Sequence, residues 1–109
     1  MKMVIAIVQD DDSIDLLETL TEKGFRVTKL ATTGGFLKAG NTTLMIGVEK
    51  EKTDEVIDVI KDICKKRNQI IPSSTPLAGG TDIYMQYPIE VELGGATVFV
   101  IDVDKFIRI

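Results

Sequence analysis

The chain contains no histidine, no tryptophan and a single cysteine in 109 residues. Without histidine there is no Ser–His–Asp or Cys–His nucleophile system and no imidazole metal ligand. Cys64 alone excludes an intrachain disulfide and leaves a structural zinc site short of ligands. No apolar run approaches the ~20 residues of a membrane span. The opening MKMVIAIVQD turns acidic too soon for a signal peptide and suits a first strand, so residence in the cytoplasm is expected. The net charge of −4 argues against sequence-independent nucleic-acid binding, which needs many phosphate-neutralising cations. A small phosphate ligand needs only one or two.

One absence is local. Of the 17 acidic side chains none falls between Lys23 and Val48, a stretch that carries Lys23, Arg26, Lys29 and Lys38. Within it, RVTKLATTGGFLKAGNTT combines cations, hydroxyls, paired glycines, a phenylalanine and an asparagine. Cations and hydroxyls suit a phosphate, an amide suits a base edge, and a ring suits stacking.

By length the chain is one domain, residues 1–109. Lys2–Gln9 is rich in Val and Ile and predicts strand 1. Acids at 10–12 suit a helix N-cap and the positive end of the dipole. Helix 1 is expected from about Asp12 to Lys23, with Ile14, Leu17 and Leu20 on one side and Gly24 after its end. Phe25–Thr33 predicts strand 2, residues 34–40 a short connection, and Asn41–Val48 strand 3. In strand 3 Leu44, Ile46 and Val48 share one face and Asn41, Thr43, Met45 and Gly47 the other. Helix 2 is expected over Thr53–Asn68, with a stripe of Val56, Val59, Ile60 and Ile63 and Lys65, Lys66 and Arg67 in its last turn. Residues 69–88, rich in Pro, Ser and Gly, predict a long loop of a kind usually functional or mobile. Strand 4 is expected over Ile89–Val103, bent at Gly94–Gly95.

The order βαββαβ predicts an α+β, ferredoxin-like split βαβ sandwich with both helices on one sheet face. Strands 1 and 4 are apolar on both faces, whereas a helix-free face exposed to water is ordinarily polar. The second face is therefore expected to be buried against other copies of the chain in a closed assembly. This pattern alone does not choose between dimer and trimer.

Several residues admit two roles. Asn41 is either a turn amide bonded to its own backbone or an amide matched to the N6 and N7 edge of adenine. Gly47 marks either a bulge or packing gap, or a place where a base approaches the backbone. Arg26 and Thr28 share a face of strand 2, as a solvated cation and its neighbour or as a phosphate and base contact. Lys29 points the other way. Gly34 and Gly35 are hairpin glycines or an anion nest, and they precede no helix, so they are not a P-loop. Phe36 and Leu37 form either a base platform or a subunit contact. The Asp10–Asp12 run is of a kind that binds a divalent cation, but helix capping explains it adequately, and Cys64 is explained by an inert, buried or half-buried thiol. Tyr84, Met85 and Tyr87 either fold over a ligand or pack on a subunit.

These strings resemble a known family. MKMVIAIVQD, FRVTKLATTGGFLKAGNTT and GGATVFV with its short tail are similar to the PII-like cyclic di-AMP receptors over essentially the whole chain. The short connection after strand 2 and the long one before strand 4 depart from ordinary nitrogen-sensing PII proteins. The resemblance implies a PII-like homotrimer with three ligand clefts between subunits. It implies ligand contacts from Arg26, Thr28, Gly35, Phe36, Leu37, Asn41 and Gly47 of one subunit, with Gly94, Gly95 and Phe99 facing the cleft from the neighbour. The tail departs from the family pattern: Arg108 stands where glutamine is usual, which would make a contact there ionic.

The expected function is a non-enzymatic, cytoplasmic second-messenger receptor in signal transduction. It would bind cyclic di-AMP, with no cofactor and no metal, change loop conformation and signal to an unidentified partner protein. The alternatives are a PII-like sensor of ATP or ADP, an enzyme acting on nucleotides, and a trimeric adaptor that binds no nucleotide.

Overall fold

The computed structural model describes the backbone of residues 1–30, 40–76 and 84–109, and their side chains outside 71–76 and 84–89. The elements run β1 (Lys2–Gln9), α1 (Asp10–Glu22), β2 (Arg26–Leu30), β3 (Asn41–Val48), a single 3-10 turn (Lys50–Lys52), α2 (Thr53–Ile63), β4 (Arg67–Pro76), β5 (Tyr84–Leu93) and β6 (Ala96–Asp102). Four strands form one sheet in the order β2-β3-β1-β6, and β4 and β5 pair only with each other. Every pairing is antiparallel. The four-stranded sheet with its two helices is compatible with a ferredoxin-like α+β fold.

Alternation sorts the sheet into two faces. Val4, Ala6 and Val8 of β1 and Leu44, Ile46 and Val48 of β3 are buried under the helices. Leu16 and Leu20 of α1 and Val56, Val59 and Ile60 of α2 complete this core. Each of the larger fully buried side chains contributes roughly 1.5–3 kcal/mol relative to exposure.

The stripe of α1 is rotated from the expected one. Asp12, Ser13, Leu16 and Leu20 face inward, while Ile14 is 63% exposed. Asp12 takes its inward position because Arg67 meets it there, as described below, and the inward Ser13 hydroxyl donates to the Asp10 carbonyl oxygen one turn back at 2.8 Å. The helix also starts earlier than expected: Gln9 is the N-cap and forms no side-chain cap bond. Asp10, Asp11 and Asp12 thus lie inside the first turn, at the positive end of the dipole, and do not cap it. Its C-terminus follows the predicted pattern. Gly24 adopts φ +87, the Gly24 N–H bonds Thr21 O, and the Phe25 N–H bonds Leu20 O, both at 3.0 Å. This is the Schellman arrangement that favours glycine after a helix.

The expectation of a loop at 69–88 and of one bent strand after it is overturned. Residues 67–76 and 84–93 are the two strands of a hairpin, with Arg67 opposite Leu93 and Pro76 opposite Tyr84. Prolines and a polar run argued against strands here. In a two-stranded ribbon, however, both strands are edges, so proline costs little; Pro72 and Pro88 face each other in register. The chain breaks at Gly94 (φ +92) and Gly95 (φ +89), leaves the ribbon and enters the main sheet as β6. The hairpin gives the molecule extents of 65 × 24 × 21 Å.

Helix α2 correspondingly ends at Ile63, five residues before the expected Asn68. The carbonyl of Cys64 accepts the Gly95 N–H at 2.5 Å, and Arg67 leaves the helix to begin β4. Lys65, Lys66 and Arg67 therefore do not form its last turn.

Candidate functional site

The helix-free face is built from rungs that the register defines. Arg26 of β2 lies opposite Gly47 of β3, Gly47 opposite Met3 of β1, and Met3 opposite Ile101 of β6. The next rung reads Thr28, Met45, Ile5 and Phe99. The C-terminal tail starts beside this end of the sheet, where the Val103 N–H bonds Met1 O at 3.2 Å.

Met1, Met3, Arg26, Thr28, Met45, Gly47, Phe106 and Arg108 together line a cavity of about 450 Å³. That is the scale of small-molecule sites. Among the described residues its charged side chains are two guanidiniums, Arg26 and Arg108, and no carboxylate lines it. Thr28 adds a hydroxyl, and the methionines and Phe106 supply apolar walls. A second cavity of about 450 Å³ lies between the helices, but Glu55, Asp58 and Asp62 line it. Its sign is wrong for phosphate.

Gly47 is the most informative residue of the lining. Its φ is not positive, and a β-carbon built there meets nothing within 4 Å. The ladder on both sides of it is regular, so it is no bulge. Neither backbone conformation nor packing within the chain calls for glycine here, and the bare backbone leaves room for something that approaches from outside.

Gly94 is different. A β-carbon there would overlap the Lys65 carbonyl oxygen, and its φ of +92 disfavours other residues. Packing and conformation within one chain already explain this glycine.

The candidate residues thus divide. Arg26, Thr28, Gly47 and Arg108 converge on the cavity. Asn41 is exposed on the same face of β3 but opposite Gln9, at the far end of the strand, six residues or ~20 Å from Gly47. Phe99, 52% exposed, shares the rung of Thr28 three strands away, ~14 Å across the sheet. Gly94 sits at the root of the hairpin, its N–H bonded to Gln9 Oε1 at 2.8 Å. Gly35, Phe36 and Leu37 lie outside the described residues, as do Gly34 and Lys38. Lys29 pairs with Leu44, on the helix side, as alternation predicts.

Met3, Met45 and Phe106 line the cavity without having been singled out in the sequence. Met3 and Met45 follow from strand parity once the register with Gly47 is known. Phe106 carries no local signal, because it belongs to an irregular tail.

Among the described residues no group of three or more His, Cys, Asp or Glu side chains is placed to hold a metal ion, and no helix is long and apolar enough to cross a membrane. Cys64 is buried. Burial pushes its thiol up to about 11; the Asp12 carboxylate adds to the shift and the Arg67 guanidinium opposes it.

The chain is thus a small antiparallel α+β domain with an apolar, cation-bearing cavity on its bare sheet face, whose chemistry suits a small anionic ligand. The cyclic-di-AMP receptor family model matches residues 1–109, and the chain belongs to that family. It is also similar to the crystal structure of a functionally unknown protein from Pediococcus pentosaceus ATCC 25745. The two are 46% identical, with a TM-score of 0.77, over 99% of this chain and 96% of that one.

Proposed function

We propose that the chain is a cytoplasmic, non-enzymatic receptor that binds cyclic di-AMP in clefts between the subunits of a homotrimer and passes the signal to a partner protein. Family membership supports the ligand. The observation that carries the site assignment is the rung Arg26–Gly47: a guanidinium beside an empty β-carbon position, in a cavity that no carboxylate of the described residues lines. A phosphodiester takes the guanidinium and the Thr28 hydroxyl, as charge-assisted bonds favour. An adenine lies against the bare Gly47 backbone, with the methionines and Phe106 around it. Arg108 meets the same or the second phosphate from the tail.

Asn41 and Phe99 are too far from this cavity to hold the same half of the ligand within one chain. They serve either the second half of a dinucleotide that spans the face, or a ligand held chiefly by a neighbouring copy. Phe99 and Ile101 are about half exposed in the single chain. A closed assembly that covers this face would remove them from water.

The test is an equilibrium titration with cyclic di-AMP beside cyclic di-GMP and ATP, together with the mass of the assembly in solution. The proposal requires preference for cyclic di-AMP and a mass of three chains. A preference for ATP, or a monomer, overturns it.

A further inference from the structure

The first turn of α1 grips two parts of the chain that are distant in sequence. On one side, the Asp10 N–H bonds Gly40 O at 3.0 Å, and the Asp10 Oδ1 accepts the Thr42 hydroxyl at 2.5 Å. Gln9 is the ladder partner of Asn41. Both neighbours of Asn41 are therefore bonded to Asp10, and Asn41 is paired to the residue before it.

On the other side, Asp12 receives both terminal nitrogens of Arg67, at 2.6 Å to Oδ1 and 3.4 Å to Oδ2. Its side chain is only 6% exposed. Gln9 Oε1 accepts the Gly94 N–H. Arg67 opens β4, and Gly94 follows β5, so both legs of the hairpin are held at its root. Positions 10 and 12 are ~200° apart around a helix, which is why one short turn can hold opposite neighbours.

We propose that Gln9–Asp12 is a positioning clamp that couples the Asn41 end of β3 to the root of the β4–β5 hairpin. Arg67 cannot leave without stranding a buried carboxylate, and the turn that carries this carboxylate also carries Asp10. Loosening one attachment therefore loosens the other. The coupling belongs to the free chain; only its use in signalling rests on Asn41 touching cyclic di-AMP. The clamp would then carry ligand occupancy to the hairpin.

Hydrogen exchange of the full-length protein without ligand tests the clamp. In Arg67→Met, amides of residues 40–48, which Arg67 does not touch, should exchange about tenfold faster, equal to 1.4 kcal/mol. In Thr42→Val, amides at 67–70 and 92–95 should speed up comparably, because coupling is reciprocal. Amides at 56–62 in α2 should stay as they were. If Arg67→Met does not fold, Arg67→Lys keeps a cation for the buried carboxylate but loses the two-pronged contact, and the same readout applies.

Unchanged exchange at 40–48, or equal loosening at 56–62, overturns the clamp. Adding cyclic di-AMP separates the two proposals. Coupling without binding overturns the ligand assignment and leaves the clamp standing, while binding without coupling does the reverse.

Discussion

Gly47 on β3 stands directly across the ladder from Arg26 on β2, with its β-carbon position facing open space. This pairing makes the site testable apart from the fold. Gly47→Val should fold normally, because a β-carbon there meets nothing within 4 Å and valine suits a strand. Its melting temperature should match wild type, while calorimetry should detect no cyclic di-AMP binding. Arg26→Ala should bind roughly 10- to 150-fold more weakly, the loss of a hydrogen bond to a charged group at ~1.5–3 kcal/mol. Full affinity in Gly47→Val would place the ligand elsewhere.

Asn41 lies at the other end of the same strand face. If its amide reads an adenine edge, Asn41→Ala leaves base groups unpaired at a cost of ~1–3 kcal/mol, and affinity should fall roughly 5- to 150-fold. The two alternatives for this residue differ when subunits are mixed. If Asn41 serves a neighbour's cavity, assemblies of Arg26→Ala and Asn41→Ala chains should regain some wild-type sites, visible as a tight phase in the titration. Unaltered affinity in the single variant removes Asn41 from the site.

The β4–β5 hairpin pairs with no strand of the main sheet, and an isolated two-stranded ribbon is marginally stable in water. Ligand that acts through this element should protect it. Amide exchange across residues 70–88 should slow on addition of cyclic di-AMP and not on addition of cyclic di-GMP. Identical exchange with and without ligand would detach the hairpin from signalling.

Cys64 makes a pH-dependent contribution whose sign follows from its burial. The thiol titrates at 9.0 when free and at about 11 in the fold. Below pH 9 both folded and unfolded chains hold the proton, and the contribution is complete. Between these values the unfolded chain loses its proton first, so stability falls with rising pH, by about 2–3 kcal/mol in all. Urea unfolding at pH about 8 and about 10.5, for wild type and Cys64→Ala, isolates the thiol from other groups that titrate there. The advantage of wild type over the variant should shrink at the higher pH. A constant difference would mean that the thiolate is accommodated in the fold.

The errors in the sequence reading share one cause. Pro72, Pro76 and Pro88 with Ser73 and Ser74 mark a loop by every local rule, yet they occupy paired strands, because a ribbon of two edges tolerates proline. Helix α2 has the propensity to continue past Ile63, but Gly95 takes the Cys64 carbonyl and Asp12 takes Arg67. In α1 the position of Ile14 fits an apolar stripe as well as that of Leu16 does. The inward place of Asp12 is decided by a guanidinium 55 residues away.

Short-range chemistry was enough to specify that there are two helices at these places, the apolar stripe of α2, the alternating strands β1 and β3, the glycine stop after α1 and the acid-free stretch that holds Arg26, Thr28 and Gly47, because each depends on neighbours a few residues apart. Tertiary structure alone decided that Met3, Phe106 and Arg108 join those three around one cavity, and that residues 67–76 and 84–93 pair as a ribbon rooted on Asp12. Register, tail placement and buried charge pairing connect residues across the whole chain, and no window of local sequence contains both partners.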